Sequence, residues 1–157
     1  MKTATVHEIK QELTANSEKA LIDLCLRLAR FKKENKELLT YLLFEANDLE
    51  GYINEVKAMI DEEFSELDAS VNLYFTKKSL RKIVRIANKH IRYTGSKQAE
   101  VAILLHFCTQ LNESGVPFRK STTLVNLYQQ QVKKIKAALA TMHEDLQYDY
   151  LRELEAL

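Results

Sequence analysis

The sequence contains very little glycine and proline. Among its 157 residues there are three glycines, one proline and no tryptophan. Strand-and-turn folds depend on glycine and proline for their tight turns, so this scarcity argues against a mainly β architecture. Hydrophobic residues still make up 46% of the chain, which is enough apolar material for a core. We therefore expect a folded, all-α protein.

Long apolar runs are also missing. The most apolar stretch, Val101 to Cys108, already contains His106 and is far shorter than the ~20 residues of a membrane span. The first ten residues have no apolar core of the kind that a signal peptide needs. The sequence thus predicts a cytoplasmic protein with no membrane partner. In that setting Cys25 and Cys108 are expected to be two small buried hydrophobic residues rather than a disulfide.

The spacings that helix-borne catalytic sites require are absent from the sequence. None of the four histidines has an acidic residue three positions before it, as a di-metal carboxylate bundle needs. There is no zinc motif, no glycine-rich phosphate loop and no nucleophile elbow. We interpret His106 as lying on the polar edge of an apolar helix, with a catalytic role as the alternative. We predict no catalytic residue, no metal and no cofactor.

Apolar residues recur at three- and four-residue spacing along the chain. This periodicity predicts six or seven antiparallel helices that form a helical bundle or a short α-solenoid. We expect a single all-helical domain over residues 1–157, with sub-units 1–67 and 76–157 joined by a linker over 68–75. The helix over Ala99 to Leu111 is apolar nearly all round, and we expect it at the centre of the fold.

Short polar residues and one glycine predict where the helices begin and end. Gly95 is expected to end a helix in the left-handed conformation, because it has no Cβ. The polar residues Lys32 to Asn35 predict a tight turn between two helices, the first of which turns Cys25 and its leucine neighbours inward. The predicted N-caps are Ser17, Asn47 or Asp48, Thr76, Ser96 and Ser121.

Charge is strongly segregated along the middle of the chain. Between residues 45 and 68 there are nine acidic residues and one lysine, whereas residues 77–97 hold eight basic residues and no acid. On a helical wheel, six basic side chains gather opposite the apolar sector of their helix. We call them the basic face: Lys78, Arg81, Lys82, Arg85, Lys89 and Arg92. This face is either paired with the acidic segment 45–68 or free to dock phosphates or an acidic partner.

The end of the chain carries a heptad pattern over three repeats. Its seven positions are all uncharged, and the period keeps one seam of a helix facing a partner helix. We call these positions the predicted seam: Val125, Tyr128, Val132, Ile135, Leu139, Met142 and Leu146. The seam is expected to support a homodimer, with packing onto the protein's own bundle as the alternative.

Two classes of function are compatible with these patterns. The first is a non-enzymatic helical protein–protein interaction or scaffold protein that binds a protein partner or itself, as the predicted seam suggests. The second is a nucleic-acid or phosphate-binding module that uses the basic helix over residues 77–94, for which binding should depend on salt.

Overall fold

The computed structural model describes residues 1–68, 70 and 72–157. Helix accounts for 81% of the structure, and the described residues contain no strand, so the all-α prediction is confirmed. They form eight α-helices: α1 Val6–Thr14, α2 Glu18–Phe31, α3 Lys33–Thr40, α4 Leu49–Ser65, α5 Leu73–Thr94, α6 Lys97–Glu113, α7 Thr122–Leu139 and α8 Glu144–Glu155. The predicted count of six or seven was too low, because α3 ends before α4 and α7 ends before α8.

The chain divides into two compact units. The first unit comprises Met1–Phe44 and the second comprises Glu45–Leu157. The linker predicted over 68–75 falls within the range of the second unit, and two of its residues, Ala69 and Val71, lie outside the described residues. No helix of the described residues is both long enough and apolar enough to cross a membrane.

The first unit consists of three helices and part of a π-helical turn, Tyr41–Glu45. The Ser17 side chain caps α2 as predicted, by accepting a hydrogen bond from the backbone N–H of Ala20. A single residue, Lys32, separates α2 from α3, and these two helices contact each other. The Asn35 side chain donates to the backbone oxygen of Leu28 at 2.9 Å and so ties the two helices together. The two helices of the predicted hairpin are therefore in contact.

The core of the second unit surrounds α6. This helix contacts α4, α5, α7 and α8, and its buried residues include Leu104, Phe107 and Leu111. Its nearly continuous apolar circumference explains the position, because a helix that is apolar on all sides must be covered on most of them. The prediction of a central helix over Ala99 to Leu111 is confirmed.

Local capping signals position most helix ends of the second unit. Gly95 follows α5 with φ of +59°, and its N–H donates to the backbone oxygen of Ile91. The predicted caps Asp48, Ser96 and Ser121 each accept a backbone N–H with their side chains. The prediction for Thr76 was wrong. The side chain of Asn72 caps α5 one turn earlier and leaves Thr76 buried inside the helix.

Candidate interaction surfaces

The helix α2 is apolar around most of its circumference. At ~100° per residue, its leucines, isoleucine, cysteine and alanines occupy well over half of the wheel. One neighbouring helix, α3, packs against α2 within the first unit and can cover only part of this circumference. The remainder is exposed, as the 60% exposure of Leu28 and the 83% exposure of Phe31 illustrate.

No residue of α1, α2 or α3 is buried. Tyr41, in the π-helical turn, is the sole buried side chain of the first unit, which the structure describes in full. The exposed large hydrophobic residues of this unit form what we call the N-terminal apolar surface. They are Met1, Val6, Ile9, Leu13, Ile22, Leu24, Leu26, Leu28, Phe31, Leu38, Leu42, Leu43 and Phe44.

Two open depressions lie along the pair of helices α2 and α3. Ala29 and Leu39 line both of them, so the depressions share the ridge where the two helices meet. Leu26 and Phe44 line one depression, and Cys25 lines the other. The prediction that Cys25 is buried was wrong: its side chain is exposed, at the edge of the contact between α2 and α3. Cys108, in α6, is buried as predicted.

The basic face lies on the surface of the second unit. Five of its six residues are exposed, and Lys89 is partly buried. Lys82 forms an ion pair with Glu63 of α4, with 2.7 Å between Nζ and Oε2. The pKa of Lys82 is raised, mainly because its ammonium group donates a hydrogen bond to the carboxylate of Glu63. The acidic helix thus meets this face at its edge and leaves Lys78, Arg81 and Arg85 exposed.

Shallow depressions run beside the basic face towards α7. One is lined by Lys78, Arg81 and Arg85 together with Val84 and Leu127. The other lies at the turn between α5 and α6 and is lined by eight residues: Asn88, Ile91, Arg92, Gly95, Ser96, Lys97, Glu100 and Lys134. The Nζ atom of Lys134 donates to Oδ1 of Asn88 at 3.3 Å, which places a basic residue of α7 beside the basic face.

Two aromatic rings stand at the start of α5. Tyr74 is 63% exposed and Phe75 is 59% exposed, and their rings meet edge to face with 5.4 Å between centroids. Tyr93 is buried and contacts the His90 ring, so it is not available at the surface. The aromatic pair directly before the first basic residues of the sequence Lys77 to Arg92 was the signal that could have identified Tyr74 and Phe75.

The predicted seam does not lie on one continuous helix. The helix α7 ends at Leu139, and a turn precedes α8, which contains Leu146. Ile135 and Leu139 are buried within the second unit, while Val125, Tyr128, Val132 and Met142 are partly buried. Since α7 contacts α6, much of this stripe is occupied by intramolecular packing.

Two histidines of the second unit form polar contacts with side chains of α4. Nδ1 of His90 lies 2.6 Å from the Tyr52 hydroxyl, and Nε2 of His106 lies 2.6 Å from Oδ1 of Asp61. His106 is partly exposed and faces α4, which is consistent with a position on the polar edge of α6. Both contacts join neighbouring helices: Tyr52 and Asp61 belong to α4, His90 to α5 and His106 to α6.

Gln131 is a buried polar residue on α7. Its side chain is 2% exposed, and Nε2 donates to the backbone oxygen of Leu127 at 3.0 Å. Among the described residues its Oε1 atom has no hydrogen-bond partner. A buried acceptor without a partner carries an uncompensated desolvation cost.

Replacing Gln131 by leucine should therefore stabilise the protein. We expect the free energy of unfolding to rise by about 1 kcal/mol, because the substitution removes the unpaired oxygen and retains the apolar stem. Urea denaturation of Gln131→Leu measures the change. The control Gln130→Leu, at an exposed position, should stay within about 0.5 kcal/mol of the native sequence. A Gln131→Leu variant that is less stable than the native protein would contradict this account.

The N-terminal apolar surface and the basic face are the two candidate binding surfaces of this protein. No group of three or more His, Cys, Asp or Glu side chains among the described residues is arranged to hold a metal ion. The N-terminal apolar surface can bind an apolar partner, and the basic face can bind an anionic one. Comparisons with family models, curated proteins and solved structures found no match to this chain.

Proposed function

We propose that the chain is a helical protein–protein interaction protein that associates with a second copy of itself through its first unit. The observation that carries the proposal is the absence of any buried residue in α1, α2 and α3. Helices in proteins obtain most of their stability from packing an apolar face against another element. In a single copy, these three helices obtain little of that packing within their own unit.

The size of the N-terminal apolar surface supports this proposal. Its exposed side chains present on the order of 1,000 Å² of apolar area, since large hydrophobic side chains contribute about 100–200 Å² each when fully exposed. The largest apolar patch on a typical monomer is about 300–600 Å². A stable interface buries about 800 Å² on each partner. The exposed apolar side chains of the first unit thus sum to enough area for one side of a dimer interface.

A second copy is the occupant that suits this surface best. Residues 1–44 contain eight basic and six acidic residues, a net charge of 8 − 6 = +2, so two copies repel each other only weakly. An identical hairpin offers the same apolar area, and a twofold axis lets each copy cover the other with one set of contacts. Two such hairpins would make a four-helix arrangement in which α2 is covered on both of its apolar sides.

The antiparallel bundle remains part of the proposal. A single residue connects α2 to α3, and two residues connect α5 to α6. Connections this short, between helices that contact each other, favour a reversal of chain direction. In this interpretation the hairpin of the first unit is the self-association element, and the second unit is the folded module that it assembles.

Light scattering on the full-length chain tests the proposal over a range of concentrations. We expect a mass that rises from one chain towards two as the concentration increases. In the variant Leu28→Glu/Leu42→Glu, the mass should remain that of one chain, because two carboxylates would then be placed in the apolar contact. Both positions are exposed within the single chain, so the second unit should keep its thermal transition.

The matched control places the same charges on the other unit. Leu146→Glu/Leu151→Glu changes two exposed leucines of α8 and should leave the concentration dependence unchanged. A substitution at Leu139 would be a poor test, since that side chain belongs to the core of the second unit. A native protein that has the mass of one chain at every concentration would overturn the proposal, as would equal association by the Leu28→Glu/Leu42→Glu variant.

A further inference from the structure

We propose that the basic face of α5, extended by Lys134 of α7, binds the phosphodiester backbone of single-stranded nucleic acid, whose bases stack on Tyr74 and Phe75. This inference concerns the second unit and does not depend on self-association of the first. It rests on the linear arrangement of the basic side chains, on the depressions that border them, and on the two exposed rings at one end of the row.

The basic side chains form a row along one uninterrupted helix. The helix α5 spans 22 residues, and at ~100° per residue Tyr74, Arg81, Arg85 and Arg92 fall within a sector of about 40°. The row from Tyr74 to Arg92 is about 27 Å long at 1.5 Å per residue. A row of this length faces several successive phosphates of an extended strand, whereas a compact anion would use only one point of it.

The two depressions continue this row on the side towards α7. Lys78, Arg81 and Arg85 line the first depression, and none of the described residues that line it is acidic. Arg92, Lys97 and Lys134 contribute to the second, where Glu100 is the single acidic lining residue, and its Oε2 atom lies 3.0 Å from Nζ of Lys97. Guanidinium groups pair with phosphate oxygens through two parallel hydrogen bonds, and this pairing suits the arginines of the row.

The exposed rings favour a single strand over a duplex. Tyr74 lies four residues before Lys78 on the same side of α5, so a strand that follows the row would bring a base to the ring. Exposed aromatic side chains next to a basic groove bind unpaired bases by stacking, which is tolerant of sequence. The bases of a duplex are stacked on each other and cannot use these rings.

An anionic membrane would require a different distribution of side chains. Amphipathic helices that lie in a bilayer surface insert a continuous apolar face beneath their basic residues. After Phe75, however, α5 exposes no large hydrophobic residue, because its apolar side is covered by α4 and α6. Only the first turn of the helix could insert, while the row of charges continues for a further four turns.

The test is fluorescence anisotropy of the full-length protein with labelled oligothymidylate long enough to cover the row. We expect binding at low salt that weakens about 50-fold between about 50 and 200 mM salt, as neutralisation of about four phosphates of a single strand predicts. Arg81→Glu/Arg85→Glu should lower the affinity at low salt by more than about tenfold. Tyr74→Ala/Phe75→Ala should lower it about tenfold for the single strand and leave a duplex of equal length unaffected.

Lys10→Glu/Lys19→Glu is the matched control, because it changes the net charge equally in the first unit and should retain native affinity. The affinity for oligothymidylate is compared with the affinities for a DNA duplex of equal length and for vesicles of phosphatidylcholine with phosphatidylserine. Several results would overturn the proposal: no binding to oligothymidylate at low salt, equal loss in the Lys10→Glu/Lys19→Glu control, binding unchanged by Arg81→Glu/Arg85→Glu or by Tyr74→Ala/Phe75→Ala, or tighter binding to the duplex or the vesicles than to the single strand.

Discussion

Replacing Leu104 by alanine should lower the free energy of unfolding by about 2–5 kcal/mol, the range for removing a large aliphatic side chain from a packed core. Leu104 is fully buried in the middle of α6, the helix that contacts α4, α5, α7 and α8. The substitution loses the transfer free energy of the removed methyl and methylene groups. It also leaves a cavity that the surrounding helices can close only in part.

Chemical denaturation monitored by helicity measures this loss, and an exposed leucine of the same unit supplies the control. Leu151→Ala changes the same side chain on α8, where it is exposed, and should shift stability by about 0.5 kcal/mol or less. A loss below about 1 kcal/mol in Leu104→Ala would mean that α6 is not the helix on which the core depends.

The two cysteines should differ in reactivity by about 1,000-fold or more. Burial raises the pKa of the Cys108 thiol from 9.0 to about 12. At neutral pH the folded protein therefore holds about 1,000-fold less of the reactive thiolate at Cys108 than it would with the ordinary thiol pKa. Cys25 is exposed on α2. An aromatic disulfide reagent should therefore release one equivalent of chromophore from the folded, dilute protein, and a second equivalent only after denaturation.

Substitution assigns the two phases. Cys25→Ser should remove the fast reaction, and Cys108→Ser the slow one.

The raised pKa of Cys108 also makes the stability of the protein depend on pH. Between pH 9 and about 12 the unfolded chain releases the Cys108 proton while the folded chain keeps it, so the free energy of unfolding falls as the pH rises. Two fast equivalents from the folded native protein would contradict burial of Cys108.

Features that depend on neighbours in the sequence could be predicted from the sequence. Gly95 and Ser96 mark the junction of α5 and α6 because a left-handed residue and a side-chain cap are local requirements. The central position of α6 followed from its own apolar circumference. Thr76 shows the limit of such signals. It and Asn72 are both able to cap, and the choice between them depended on whether the residues 73–75 joined the helix.

Features that depend on distant packing could not be predicted. Periodicity correctly identified the apolar residues of α2, but it carries no information on whether another element covers them, and the exposed Cys25 was therefore placed in a core. A heptad count likewise assumes an unbroken helix. The turn between Leu139 and His143 interrupts the predicted seam, and Ile135 is buried within the second unit. The basic face was identified as a set, but the ion pair of Lys82 with Glu63 of α4 depends on tertiary structure.

The lack of buried residues in α1, α2 and α3 has a consequence for amide hydrogen exchange. These helices contain 9, 14 and 8 residues, and isolated helices shorter than about 12–15 residues are marginal in water. In a dilute sample their amide protons should exchange rapidly, whereas those of α6 should exchange only through global opening. Raising the concentration should slow exchange in the first unit alone. The helices of the first unit would then be stable only in the dimer, whereas those of the second unit would be stable in a single chain.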